Sequence, residues 1–139
     1  MALRMDQAAL AAFLRSDFGQ VADDYTVERA DGAGVTLRMA PAERHLRPGG
    51  TVSGPAMFGL VDVAMYLAIL SRIGPVALAV TTNCAIDFMR KPAAGRGLRA
   101  EARLLKLGRS LAVGDVLVFS DGMEDPVARA GLTYSIPPQ

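Results

Sequence analysis

Residues Gly54–Ser71 read GPAMFGLVDVAMYLAILS, and Asp62 is the one charged side chain in the run. Everything around it is apolar, small or the single tyrosine Tyr66. Pro55 suits a first helical turn, where its missing N–H costs nothing, and Ser53 or Gly54 can cap it. Gly74-Pro75 stops it, so the pattern predicts a helix over 54–73. A helix apolar all round is a buried helix. Its length also approaches a membrane span, but the central Asp, the early proline and the glycines 54 and 59 argue for a soluble core and against a membrane. In 139 residues only a sheet curved around it can bury such a helix on most sides.

On that helix the three- and four-residue neighbours of Asp62 are Phe58, Gly59, Met65 and Tyr66, and none is a cation. Arg72, the next basic residue, stands roughly 15 Å along the helix. A carboxylate in apolar surroundings is costly to keep ionised unless something compensates. Either a distant segment satisfies Asp62, or it is there to do chemistry.

Outward from this helix the chain reads as a single domain, 1–139. The N-terminal helical segment covers 1–20, with a helix over Asp6–Phe18 that puts Leu10, Phe13 and Leu14 on one side. Strands Tyr25–Ala30 and Val35–Ala40 flank the turn signal Asp31-Gly32-Ala33-Gly34. Beyond the helix, Val76–Arg90 alternates with period two. Val76, Leu78, Val80, Thr82, Cys84, Ile86 and Phe88 form a bulky face suited to a helix, and the face carrying Thr81, Asn83 and Ala85 is mostly small. Leu98–Leu107, Leu111–Ser120 and Val127–Ile136 complete the strands. The expected class is α+β: a curved antiparallel sheet wrapped around the long helix.

At 51% hydrophobic and 21% charged residues the chain can bury a core and is not disordered. A net charge of +1 and the absence of Trp argue against a nucleic-acid surface. One cysteine, Cys84, excludes an internal disulfide, and one histidine, His45, cannot build a zinc site. No metal or separate cofactor is therefore expected. The stretch MALRMDQAALAAFLRSDF has acidic residues and no long apolar run, so a cytoplasmic location is expected.

The run before the helix is His45-Leu46-Arg47-Pro48-Gly49-Gly50-Thr51-Val52-Ser53-Gly54, with Asp62 eight residues later. It resembles the pattern H-x-N-x-x-G-x-x-H-G, followed by an acid, of the hotdog-fold thioesterases, in particular the PaaI-like acyl-CoA thioesterase family. His45, Gly50, Gly54 and Asp62 match. Arg47 stands where the family has Asn, and Ser53 where it usually has His. TTNCAIDFMRKP, KLGRS and VARAGLTYSI look like the family's later strand and turn motifs, so the likeness covers about Tyr25 to Ile136.

The resemblance implies a hotdog fold and hydrolysis of acyl-CoA, with small, medium-chain or aryl acyl groups left open. Coenzyme A then belongs to the substrate. Thioester hydrolysis needs a base or nucleophile at the carbonyl and a donor at the developing oxyanion. Asp62 is the natural base or nucleophile, and the Gly54 N–H at the helix start the natural donor. Eight helical residues span about 12 Å, too far for one thioester to meet both groups at about 3–3.5 Å. If both act, they come from different chains, across the two-fold axis of a homodimer. In the family the acid and the glycine do sit on opposite subunits, and the resemblance also implies a homotetramer.

Thr81 stands where some relatives carry a hydroxyl that orients the water or the acid, with Thr82 or Asn83 as alternatives if the register differs. His45, Arg47, Gly50 and Ser53 are candidates for the substrate side. Arg47 could instead pair with Asp62 or select an acidic acyl group. Arg90, Lys106 and Arg109, at strand ends and turns, are candidates for the phosphates of coenzyme A. Met57, Phe58, Met65 and Tyr66 suggest an apolar acyl pocket. Two other readings stay open: a non-catalytic acyl-CoA or acyl-carrier binder, favoured by the Arg47 and Ser53 departures, and a structural dimer with Asp62 as an interface acid.

Overall fold

The computed structural model describes residues 3–139, so the first two residues of the expected N-terminal segment lie outside the described residues. Helix α1, Gln7–Asp17, starts where the Asp6 side chain accepts the Ala9 N–H and buries Leu10, Phe13 and Leu14. Strands β1, Tyr25–Asp31, and β2, Gly34–Met39, form the first hairpin. A Cβ at Gly34 would lie 2.0 Å from the Ala102 carbonyl oxygen, so this turn needs glycine to approach the neighbouring strand.

Helix α2 runs Gly54–Ile73, capped by the Ser53 side chain at one end and by Gly74, at φ 93°, at the other. By length and composition it could cross a membrane, but 67% of its most apolar window is buried inside the protein. Strands β3, Val80–Phe88, β4, Leu98–Leu107, β5, Leu111–Ser120, and β6, Ala128–Ser135, follow. The sheet order is β1-β2-β4-β5-β6-β3, with every neighbouring pair antiparallel. Helix α2 touches all six strands, and its side chains Leu60, Val61, Leu67, Ile69 and Leu70 are fully buried. At Gly114 on β5 a Cβ would lie 2.3 Å from the Met65 methyl, so the missing side chain sets how closely helix and sheet approach. This is the curved antiparallel sheet around a long helix that the apolar run called for.

The first long strand departs from its strict alternation. Residues 76–79 form a turn, closed by the Ala79 N–H on the Val76 carbonyl, because the chain must reverse direction directly after α2. Leu78 at its tip is 79% exposed and Val80 is 54% exposed, so neither packs on the helix. Further along, Thr81 pairs with Tyr134 and Asn83 with Thr133, which leaves Thr82 as an extra residue in a bulge. The bulge shifts the period by one. Thr81 and the partly buried Cys84 and Ile86 therefore face the same way, although a strict period of two separates them. The outer edge of β3 has no strand beside it among the described residues.

Candidate active site

Asp62 sits in the third turn of α2, half-buried, at the edge of a cavity of about 440 Å³. Its Oδ1 accepts two hydrogen bonds, from the Thr81 hydroxyl at 2.6 Å and from the Tyr134 hydroxyl at 2.7 Å. Among the described residues nothing donates to Oδ2, and no cation pairs with the carboxylate. The distant segments that satisfy the acid are thus β3 and β6, and they do so with neutral donors. Burial, and then the nearby Asp62 charge, push the Tyr25 and Tyr134 phenols and the Cys84 thiol above their ordinary values. Phe18, Val63, Tyr66, Leu78 and Val80 give the cavity its apolar wall, and Asp17 at the end of α1 and Gln20 in the turn after it also line it.

Gly54 opens onto a separate cavity of about 390 Å³, shared with Arg47, Met57, Phe88, Arg90 and Lys91. The first helical turn commits its other amides. Pro55 has none, the Ala56 N–H goes to the Ser53 hydroxyl at 3.3 Å, and the Met57 N–H to the Ser53 carbonyl at 3.1 Å. Among the described residues the Gly54 N–H has no acceptor. Among the described residues Arg47 and Lys91 form no ion pair, while Arg90 donates to the Pro126 carbonyl at 2.7 Å. The cavity therefore offers a free amide at the positive end of a helix, with cations beside it.

A larger depression, about 690 Å³, lies on the outer face of the sheet. Its charges satisfy one another, as in Arg103–Asp115 at 2.8 Å and Arg129–Asp87 at 2.9 Å. It holds no unpartnered reactive group, and Asp62 lies elsewhere. No group of three His, Cys, Asp or Glu side chains among the described residues is placed to hold a metal ion.

The sequence profile of the thioesterase superfamily matches residues 49–127, which include the helix start, Asp62 and the bulged strand. The chain belongs to the thioesterase superfamily. It is 55% identical to a candidate thioesterase of Silicibacter sp. TM1040 whose crystal structure covers 99% of this chain and 96% of its own, with a TM-score of 0.93. It is 26% identical to the phenylacetic acid degradation protein PaaI of Thermus thermophilus, solved as a point mutant, over 91% of this chain and 99% of that one (TM-score 0.71). A Streptococcus mutans UA159 protein solved with bound acetyl CoA shares the fold at 23% identity, over 83% and 90% of the two chains (TM-score 0.72). No curated protein sequence matches the chain. The hotdog fold expected from the sequence is thus the fold of these relatives.

In this thioesterase-superfamily chain the remaining sequence candidates scatter. The His45 side chain points into its own loop. Its Nδ1 accepts the Ala42 N–H at 2.9 Å, and its Nε2 lies 3.6 Å from an Asp24 oxygen, so it pins the loop and lines neither cavity. Gly50, at φ 87°, closes the loop by donating to the Arg47 carbonyl. Ser53 is engaged as the helix cap. Asn83 is exposed after the bulge, and Thr82 bonds the Thr133 carbonyl, which leaves Thr81 as the hydroxyl at the acid. Lys106 and Arg109 lie exposed in the β4–β5 hairpin, away from both cavities. Of the expected acyl-pocket residues only Tyr66 lines the Asp62 cavity. Met57 lines the Gly54 cavity, Phe58 is on the surface, and Met65 packs beneath Gly114. The sequence reading missed Tyr134 and passed over Lys91 as a site residue. Only the pairing of β6 with β3 could have pointed to Tyr134.

Proposed function

We propose that this chain hydrolyses acyl-CoA thioesters as a homodimer, with Asp62 of one subunit and the Gly54 amide of the other at each site. The observation that carries the reading is the Asp62 carboxylate, held on one oxygen by neutral hydroxyls with its other oxygen uncommitted at an apolar cavity. Oδ2 takes a proton from a water molecule, whose oxygen attacks the thioester carbonyl carbon. The carbonyl oxygen becomes an oxyanion, which the N–H of Gly54 of the partner subunit stabilises. Collapse expels the coenzyme A thiolate, which takes the proton from Asp62, and leaves the free acid with Asp62 ionised again. Direct attack by the same oxygen, through an anhydride, would use the same groups.

Two features support the two-chain site. Asp62 and Gly54 line different cavities of one chain. The β3 edge, unpaired among the described residues, carries at or next to its ends the exposed apolar side chains Leu78, Val80, Phe88 and Met89, a surface suited to a second copy. Arg47, Arg90 and Lys91 suit the phosphates of coenzyme A, in line with the acetyl CoA carried by the Streptococcus mutans neighbour. We read the location as cytoplasmic and the dimers as pairing into a homotetramer.

The test is hydrolysis of a panel of aliphatic and aryl acyl-CoAs by wild type and Asp62→Asn. Turnover of at least one ester, reduced about 10³-fold in the variant, is expected. No turnover of any ester, or an unaffected variant, overturns the proposal.

A further inference from the structure

We propose that Tyr134 is a positioning residue for Asp62: with Thr81 it engages Oδ1 alone, so that Oδ2 is the oxygen that acts on the thioester. The inference rests on the thioesterase reading and adds to it a residue and a division of labour between the two carboxylate oxygens.

Thr81 and Tyr134 are directly opposite each other on β3 and β6. Two hydroxyls on adjacent strands thereby converge on one oxygen, at 2.6 and 2.7 Å. The bulge at Thr82 makes this convergence compatible with Cys84 and Ile86 packing on the core further along β3. The phenol has little freedom to leave. Tyr134 is 3% exposed, and its ring stacks on Tyr66 with centroids 6.3 Å apart and planes at 25°. Tyr66 is held in turn by its own hydroxyl on the Ala77 carbonyl at 2.8 Å and by the edge of Phe18 at 6.0 Å. The Tyr134 hydroxyl also lies 2.9 Å from the Asp62 backbone oxygen, so it ties the carboxylate to its own turn of helix.

Two donors on the same oxygen fix the plane of the carboxyl group and occupy the lone pairs of Oδ1. The basic lone pairs are then those of Oδ2. Burial, and after it the Asp62 charge, raise the phenol above its ordinary value, which keeps its proton in place at neutral pH.

Tyr134→Phe tests this, because it removes the donor and keeps the ring stack. The expected variant has kcat reduced about tenfold, KM within about twofold of wild type, and an acid limb of the rate–pH profile moved to higher pH. Thr81→Val moves the limb the same way, and Thr81→Ser restores it. Tyr25 of β1, Cys84 of β3 and Asp17 at the end of α1, which also face this carboxylate or its cavity, are unchanged in each variant. The 13C signal of the Asp62 carboxyl carbon, read without substrate, should differ between wild type and Tyr134→Phe. If that variant does not fold, 3-fluorotyrosine at 134 strengthens the donor and should move limb and signal in the opposite sense. An unmoved acid limb with wild-type kcat overturns the proposal. So does a lowered kcat with an unchanged carbon signal, since Tyr134 would then act elsewhere. A changed carbon signal in a protein that hydrolyses no acyl-CoA overturns the thioesterase reading and leaves Tyr134 as the residue that holds Asp62.

Discussion

Two places on one helix, Gly54 and Asp62, are surrounded by different charge. The Gly54 end carries Arg47, Arg90 and Lys91 beside an uncommitted amide. Among the described residues no cation pairs with Asp62, which is held by hydroxyls. Under the proposed mechanism the difference follows from what each must tolerate. An oxyanion or phosphate is stabilised by cations and by the helix dipole. A carboxylate acting as a base would lose basicity beside a cation, while hydroxyls orient it without neutralising it. In each place one hydrogen-bonding position is left free, the Gly54 N–H and Asp62 Oδ2.

After the loss expected of Asp62→Asn, the next largest effect of disturbing this comparison is at the amide. Gly54→Pro removes the N–H at a position where proline fits a helix start, and kcat should fall about 10²-fold with little loss of stability. Gly54→Ala keeps the N–H. Its Cβ meets the Phe88 ring at 3.4 Å, an ordinary contact, so that activity should stay near wild type. Mixing Gly54→Pro with Asp62→Asn subunits sharpens the contrast. Half the dimers in a random mixture are mixed, and each of these has one intact site, so about a quarter of wild-type activity should return. No recovery would break the assignment of the two groups to opposite subunits.

A smaller effect belongs to the cations. Arg47→Ala with Lys91→Ala should raise KM for acyl-CoA about tenfold and flatten its dependence on salt, with kcat held within about twofold. A fall in kcat at constant KM would mean that these residues act on the reacting carbonyl instead.

The smallest concerns His45, outside both places. Burial, reinforced by the Arg44 charge, keeps its imidazole below the ordinary value of 6.5. The unfolded chain therefore takes up the proton first as pH falls. The contribution to stability is complete above about pH 6.5 and is lost as the pH drops below it. The thermal midpoint should fall between about pH 7 and pH 5, and this slope should flatten in His45→Gln. An equal slope in the variant would assign the loss to other groups.

Much of the fold was legible because its signals are local. The apolar run with Pro55 and Gly74 marks α2, and the bounds of β4 and β5 follow directly from alternation and turn residues. The single acid in that run marked Asp62 as a candidate, and its spacing from Gly54 requires two chains if both groups are to act on one thioester. The first long strand read less well. A bulge adds a residue without any compositional mark, so Thr81 seemed to lie on the face away from Cys84. The basic residues could not be sorted either. Lys91 is brought to the Gly54 cavity by the turn after β3, while Lys106 and Arg109, which resemble it in sequence, are carried off by the β4–β5 hairpin.

The sequence by itself determined the buried helix, the sheet that must wrap it, and an acid with no partner on its own element. Hydrophobic pattern and helical geometry act over a few residues, and so they are written in the order of the chain. Only the tertiary structure decided who holds Asp62. Tyr134 is 72 residues away, and it meets the carboxylate because β6 pairs with β3 and both pack on α2. A hydrogen bond across that separation depends on strand register, and register is set by the packing of the whole sheet rather than by the residues that make the bond.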